Sequence, residues 1–168
     1  NHINIIGDDL YWTDGINPQF KLNIPKAING DYDNYTDDYF LQVYSKPPMI
    51  AMLAKSMTDS TEKSNNVIGK LWQFQYRYIY FDDTKSTFSP ISKLGKPDSL
   101  YTGNILAVIP YFTDNFYRLT FSSGDIEVDY VEISAREGND SDFYSIAQID
   151  VKGKNNTTER FDFYNDKT

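Results

Sequence analysis

Alternation of apolar and polar residues is clearest between Val67 and Phe81. Trp72, Phe74, Tyr76, Tyr78 and Tyr80 fall on one side of an extended chain, and Leu71, Gln73, Gln75, Arg77 and Ile79 on the other. Period two over this length excludes a helix and predicts a core strand with its aromatic face inward. Asp82-Asp83-Thr84 predicts a hairpin turn, with Ser86 to Ile91 returning as its partner strand.

The same pattern predicts four further strands at regular spacing, Ile105 to Phe112, Phe116 to Ser122, Val128 to Arg136 and Phe143 to Ile149. Polar turns separate them, and a last strand runs from Glu159 to Tyr164. Met49 to Met57 is ambiguous. Met49, Met52, Leu53 and Met57 fit helical spacing, but the β-rich surroundings favour an edge strand after Pro47-Pro48. Thr58 to Asn66 is polar and predicts a mobile loop.

Before Pro47 the elements are shorter. Ile3 to Ile6 and Leu10 to Thr13 flank Gly7-Asp8-Asp9 and predict a hairpin. Lys21 to Ile24 is extended. Pro25 opens a turn or short helix that Gly30 stops. An acidic loop from Asn29 to Asp38 leads to a strand at Tyr39 to Tyr44. The expected architecture is all-β: an N-terminal β-hairpin arm with its acidic loop over 1–45, then an immunoglobulin/fibronectin III-like β-sandwich over 46–168. The arm is too small for a core of its own, so it is expected to pack on the sandwich. The chain opens in mid-pattern without Met, which reads as a segment of a longer polypeptide.

Composition sharpens this picture. Among 168 residues there are 14 Tyr and 11 Phe, types suited to half-buried pleated surfaces. The formal charge, 16 minus 24 or −8, argues against nucleic acid and anionic membrane surfaces as partners. Absence of cysteine excludes disulfides, thiol catalysis and Cys-based zinc sites.

Candidate chemistry is sparse. His2 is the single histidine and sits at the chain end, so no Ser-His-Asp constellation is expected. The carboxylates fall in turns and on alternating outer faces, where solvated turn formers are the ordinary reading. No enzyme activity and no cofactor is expected. Asp31, Asp33, Asn34, Asp37 and Asp38 are hard oxygen donors of the kind calcium takes. A calcium-loop register from Asp31 nevertheless puts Thr36 where glycine belongs and Gln42 where the bidentate glutamate belongs. Trp12, Tyr32, Tyr35 and Tyr39 are candidates for stacking on a sugar, against the plainer reading that they pack within the fold or against neighbouring subunits.

Three stretches together resemble one family. Leu10-Tyr11-Trp12-Thr13-Asp14-Gly15-Ile16-Asn17-Pro18 with Lys21-Leu22-Asn23-Ile24 is the first. Trp72 through Asp83 with Phe88-Ser89-Pro90-Ile91-Ser92 is the second, and Val131 through Asn139 with Phe143-Tyr144-Ser145-Ile146 the third. In order and spacing they resemble segments of large virion proteins of crAss-like bacteriophages. Thr84 stands where the family's hairpin has glycine, and Phe143 where tryptophan is common. The resemblance implies a structural component of a phage tail, neck or tail-associated ring. Its location would be the virion, its partners other virion structural proteins, and it would be a homo-oligomer within a larger assembly. It carries over no catalytic residue. The alternative is a glycan- or receptor-binding β-sandwich module. Tyr11-Trp12-Thr13-Asp14 also matches a β-propeller tetrad, but one copy cannot make a propeller.

Overall fold

The computed structural model describes residues 2–32, 41–43, 45–67, 70–94 and 114–166. Among these the chain is all-β apart from one short helix. Nine strands form three antiparallel three-stranded sheets. The first holds β1 (His2–Ile6), β2 (Asp9–Thr13) and β3 (Phe20–Asn23), followed by α1 (Ile24–Ile28). The second has the order β4-β6-β9, from Leu53–Met57, Phe116–Ser122 and Thr158–Phe163. The third has the order β5-β7-β8, from Trp72–Tyr80, Val128–Glu137 and Tyr144–Asp150.

The aromatic side of β5 is the centre of the molecule, as its alternation predicts. Trp72, Phe74, Tyr76 and Tyr78 are buried, and Tyr80 is partly buried against the same cluster. Across the sheet, Phe74, Tyr76 and Tyr78 lie opposite Ala135, Ile133 and Val131 of β7. Flat rings therefore sit beside short aliphatic chains, a pairing that fills a pleated face without voids. Across the core they meet the β4-β6-β9 sheet. Ring centroids are 4.9 Å apart for Trp72 and Phe163, 5.7 Å for Phe74 and Tyr117, and 5.7 Å for Tyr76 and Phe121. These edge-on and tilted contacts are the geometry that ring quadrupoles favour.

The outer side of β5 makes a polar ladder with β7. Arg136 Nε donates to Gln73 Oε1 at 2.8 Å, and Arg77 Nε to Glu132 Oε2 at 2.8 Å. Ile79 departs from the expected outward face and is only 5 % exposed. The register slips between Ile79 and Tyr80, and Lys85 bridges back to Ile79, so the hairpin end folds over this side chain.

The return from the hairpin is not the strand expected over Ser86 to Ile91. Its turn is present, with Asp83 in the left-handed region at φ 64 and Tyr80 N–H donating to the Thr84 carbonyl. Beyond it every third residue meets the edge of β5. Backbone N–H groups of Ser86, Ser89 and Ser92 donate to the carbonyls of Tyr78, Tyr76 and Phe74, at 3.0, 2.7 and 2.8 Å. The N–H groups of those same three residues donate back to the serine hydroxyls at 3.0, 3.1 and 3.0 Å. Each hydroxyl in turn donates to the carbonyl of the next residue, Thr87, Pro90 or Lys93. One serine thus satisfies both backbone groups of one strand residue. A fourth such unit joins Ser123 to Thr157.

Other expectations are met or amended in detail. The Met49 to Met57 stretch contains a strand, β4, and Met52 just before it enters the core. Thr58 to Asn66 is pinned rather than loose. The buried Asn115 amide accepts from Asp59 N–H at 2.8 Å and donates to the carbonyls of Asp59 and Glu62. The strand expected at Ile105 to Phe112 lies outside the described residues. So does half of the strand expected at Tyr39 to Tyr44, of which Gln42 makes an isolated bridge to Phe20.

Burial pushes the phenols of Tyr76, Tyr78 and Tyr117 upward, Tyr117 to about 12. A raised folded-state value gives stability that is complete below the ordinary 10.0 and lost as pH rises toward the folded value. Alkaline titration is therefore expected to unfold the chain between about pH 10 and 12. Phenolate absorbance and loss of β circular dichroism should rise together. Full phenolate formation in a folded chain would contradict the packing described.

Candidate functional site

The N-terminal sheet and the hairpin end of β5 meet at a compact charged contact. Gly7 takes a positive φ of 61 in the two-residue loop between β1 and β2, the position that a type II′ hairpin reserves for glycine. Asn23 caps α1, its side chain accepting from Lys26 N–H, and Pro25 stands in the first turn where its missing N–H costs nothing. This local order aims two lysines at one turn. Lys21 Nζ lies 3.1 Å from Thr84 Oγ1, 3.4 Å from Asp9 and 3.7 Å from Asp82. Lys26 Nζ lies 3.0 Å from Asp83 and donates to the Phe81 carbonyl. Tyr32 packs edge-on against Phe81 at 4.9 Å, and its hydroxyl accepts from Asn23 N–H.

Burial alone would lower the Lys21 ammonium, but the charges of Asp82 and Asp9 outweigh it and hold it above the ordinary 10.5. The contact is thus an electrostatic latch with one aromatic pair. Replacing both Lys21 and Lys26 by methionine is expected to speed amide exchange across β1, β2 and β3 about tenfold, the equivalent of about 1.4 kcal/mol. Protection of β5 and β7 should stay unchanged. Equal acceleration in both sheets would show that the latch is not a local device.

The residues singled out for binding lie apart or within the fold. Trp12 on β2 stacks on Phe20 at 5.1 Å with an 18° interplanar angle, so one of its faces is taken. Tyr32 belongs to the latch. Asp31 is exposed at the end of α1, its N–H donating to the Lys26 carbonyl. Asp33, Asn34, Tyr35, Asp37, Asp38 and Tyr39 lie outside the described residues. Among the described residues no group of three or more His, Cys, Asp or Glu side chains is placed to hold a metal ion. His2 stands exposed on β1.

Two concavities accompany these elements. One of about 270 Å³ lies against the arm sheet, bordered by Asn4, Ile6, Tyr11, Trp12 and Gln19. Another of about 410 Å³ runs between β8 and β9, bordered by Tyr144, Ile146, Phe161 and Tyr164. Neither gathers a nucleophile with a base in hydrogen-bond reach. The latch lysines were not singled out from sequence. Their one local signal is Asp82-Asp83 in a hairpin loop where Asp-Gly is the usual pair. Compared with known proteins, the chain matches no protein-family model and no curated protein.

Proposed function

We propose that this chain is a non-catalytic structural module of a bacteriophage virion, of the tail, neck or tail-associated ring, acting through subunit contacts. The three sequence stretches that resemble crAss-like virion proteins support the phage origin. They coincide with β2 and β3, with β5 and its serine-lined return, and with β7 and β8.

The observation that carries a contact role is the placing of exposed apolar side chains. Ile3, Ile5 and Ile6 stand out from β1, and Met49, Ile50 and Leu53 from the approach to β4. Large apolar groups gathered this way mark surfaces made to be covered. Charged side chains are meanwhile engaged in the fold, as in the two-pronged Arg118–Asp162 pair across β6 and β9 at 2.7 and 2.8 Å. Six strands in two facing sheets support an immunoglobulin/fibronectin III-like β-sandwich. The last strand departs from that pattern. An immunoglobulin fold keeps its final strand beside the penultimate one, whereas β9 crosses to β6 in the opposite sheet.

Peptide mass spectrometry of purified crAss-like phage particles tests the reading. Peptides of this chain are expected at stoichiometric abundance with other tail proteins. Their presence in infected cells but not in particles would overturn it.

A further inference from the structure

The fold treats its sheet edges unequally. The edge of β5 is closed by the serine hydroxyls. Among the described residues no strand pairs with the outer edge of β1, and all five β1 residues are exposed. That strand is His2-Ile3-Asn4-Ile5-Ile6, without lysine, proline or bulge, the devices that normally guard an edge. We infer that β1 pairs antiparallel with β1 of a second copy of this chain, about a two-fold axis through Asn4. This rests on the reading of the chain as an assembling module and specifies one surface for it.

Three features on the strand select this occupant. The first is register. Ile6↔Asp9 closes a two-residue hairpin, so its backbone groups face β2. By alternation Ile3 and Ile5 turn theirs to the open edge, where Ile5 N–H donates to the neighbouring Asn4 Oδ1 at 3.0 Å. Pairing about Asn4 sets Ile3 against Ile5 of the other copy and uses every residue of the strand. Both outward-facing residues then exchange hydrogen bonds.

The second feature is the apolar face. Ile3 lies across from Trp12 and then Phe20, and Ile5 from Leu10 and then Leu22. Ile3 and Ile5 are 74 % and 60 % exposed, while Phe20 is buried. The face thus grows wetter toward the open edge. The two-fold partner continues both rows with its own isoleucines, giving one six-stranded sheet. A one-residue slip would turn the partner's isoleucines to the opposite face.

The third is charge. The chain carries −8, which favours a basic partner in general, yet β1 offers such a partner no carboxylate. Two acidic copies meet here on an uncharged strand. Within β1 itself the register sets no two carboxylates against each other. His2 comes to the hairpin end that holds Asp8 of the other copy, twice by symmetry.

Absence of native cysteine makes the test direct. Asn4→Cys, His2→Cys and Ile6→Cys are each introduced alone into the full chain and oxidised at equal concentration. In the proposed register position 4 faces itself at about 4.5 Å between Cα atoms, within disulfide reach. Positions 2 and 6 face each other instead. Asn4→Cys is expected to cross-link at least tenfold faster than either other variant alone, and a mixture of His2→Cys with Ile6→Cys to recover the fast rate. Ile5→Lys, at an exposed position that leaves the fold intact, should weaken self-association at least tenfold in sedimentation equilibrium. Equal rates at all three positions would overturn the inference, as would a wild-type chain that stays monomeric to millimolar concentration. The particle experiment stands independently, because a virion module that assembles through another surface would pass it and fail this one.

Discussion

Replacing Ser86, Ser89 and Ser92 together by alanine is expected to destabilise the chain by about 3–9 kcal/mol. All three serines are buried, and each hydroxyl is the acceptor for one N–H of β5, from Tyr78, Tyr76 or Phe74. Alanine keeps the serine's own N–H bond to the strand but removes that acceptor. A buried donor left unsatisfied costs about 1–3 kcal/mol, about twice the net worth of an average hydrogen bond. Three such losses on one strand approach the whole stability of an ordinary domain, about 5–15 kcal/mol. Urea unfolding of the three single variants and the triple variant measures this. Singles near 1 kcal/mol and a triple near their sum would support independent rungs. A triple variant within about 0.5 kcal/mol of wild type would show that the hydroxyls are dispensable.

Gly124→Ala carries the second large effect, an expected loss of about 2–5 kcal/mol. Gly124 lies in the turn between β6 and β7 at φ 81, where any side chain is strained by about 1–2 kcal/mol. An added Cβ would stand 2.7 Å from Val128 Cγ2 and 3.0 Å from the Tyr78 ring. Both neighbours belong to the core, Val128 at 1 % exposure, so neither can swing aside into solvent. Overpacking of this kind adds about 1–3 kcal/mol. Gly153→Ala is the control. It shares a positive φ of 76 but meets nothing within 4 Å, so it should lose only the backbone share. Equal losses at both positions would remove the steric argument and leave strain alone.

The contrast between these two glycines shows where sequence reasoning succeeds and where it stops. Both lie in polar stretches between strands and take a positive φ. Nothing adjacent to Gly124 in the chain announces that Tyr78, far away along it, presses on its Cα. The β5 alternation was legible because apolar burial repeats at the period of the strand itself. Met49 to Met57 was ambiguous because methionines at mixed spacing suit either geometry, and only the chain's surroundings favoured the strand that forms.

The serine-lined return was misread as a strand for a physical reason. Its contacts recur every three residues and are polar, so they leave no hydrophobic pattern to detect. The latch was invisible for a different one. Lys21 and Lys26 look like solvated surface lysines until the fold brings Asp82 and Asp83 to them across more than fifty residues. Composition did convey the β class, through the excess of Tyr and Phe. It conveyed nothing about which edge of which sheet stands open.

The three-residue step of the serine-lined segment also dictates how that stretch can change its length. Only Ser86, Ser89 and Ser92 must present an N–H and a hydroxyl, so the two residues between neighbours need make no backbone bond to the strand, although the Phe88 ring lies 4.6 Å from the Arg77 guanidinium. Pro90 therefore sits beside a sheet edge without breaking a single bond. The grammar of the segment is triplet-like. Insertion or loss of three residues adds or removes one complete clasp and preserves the phase of the rest. A change of one or two residues brings Thr87, Phe88, Pro90 or Ile91 to the clasp positions and unfastens everything downstream of it.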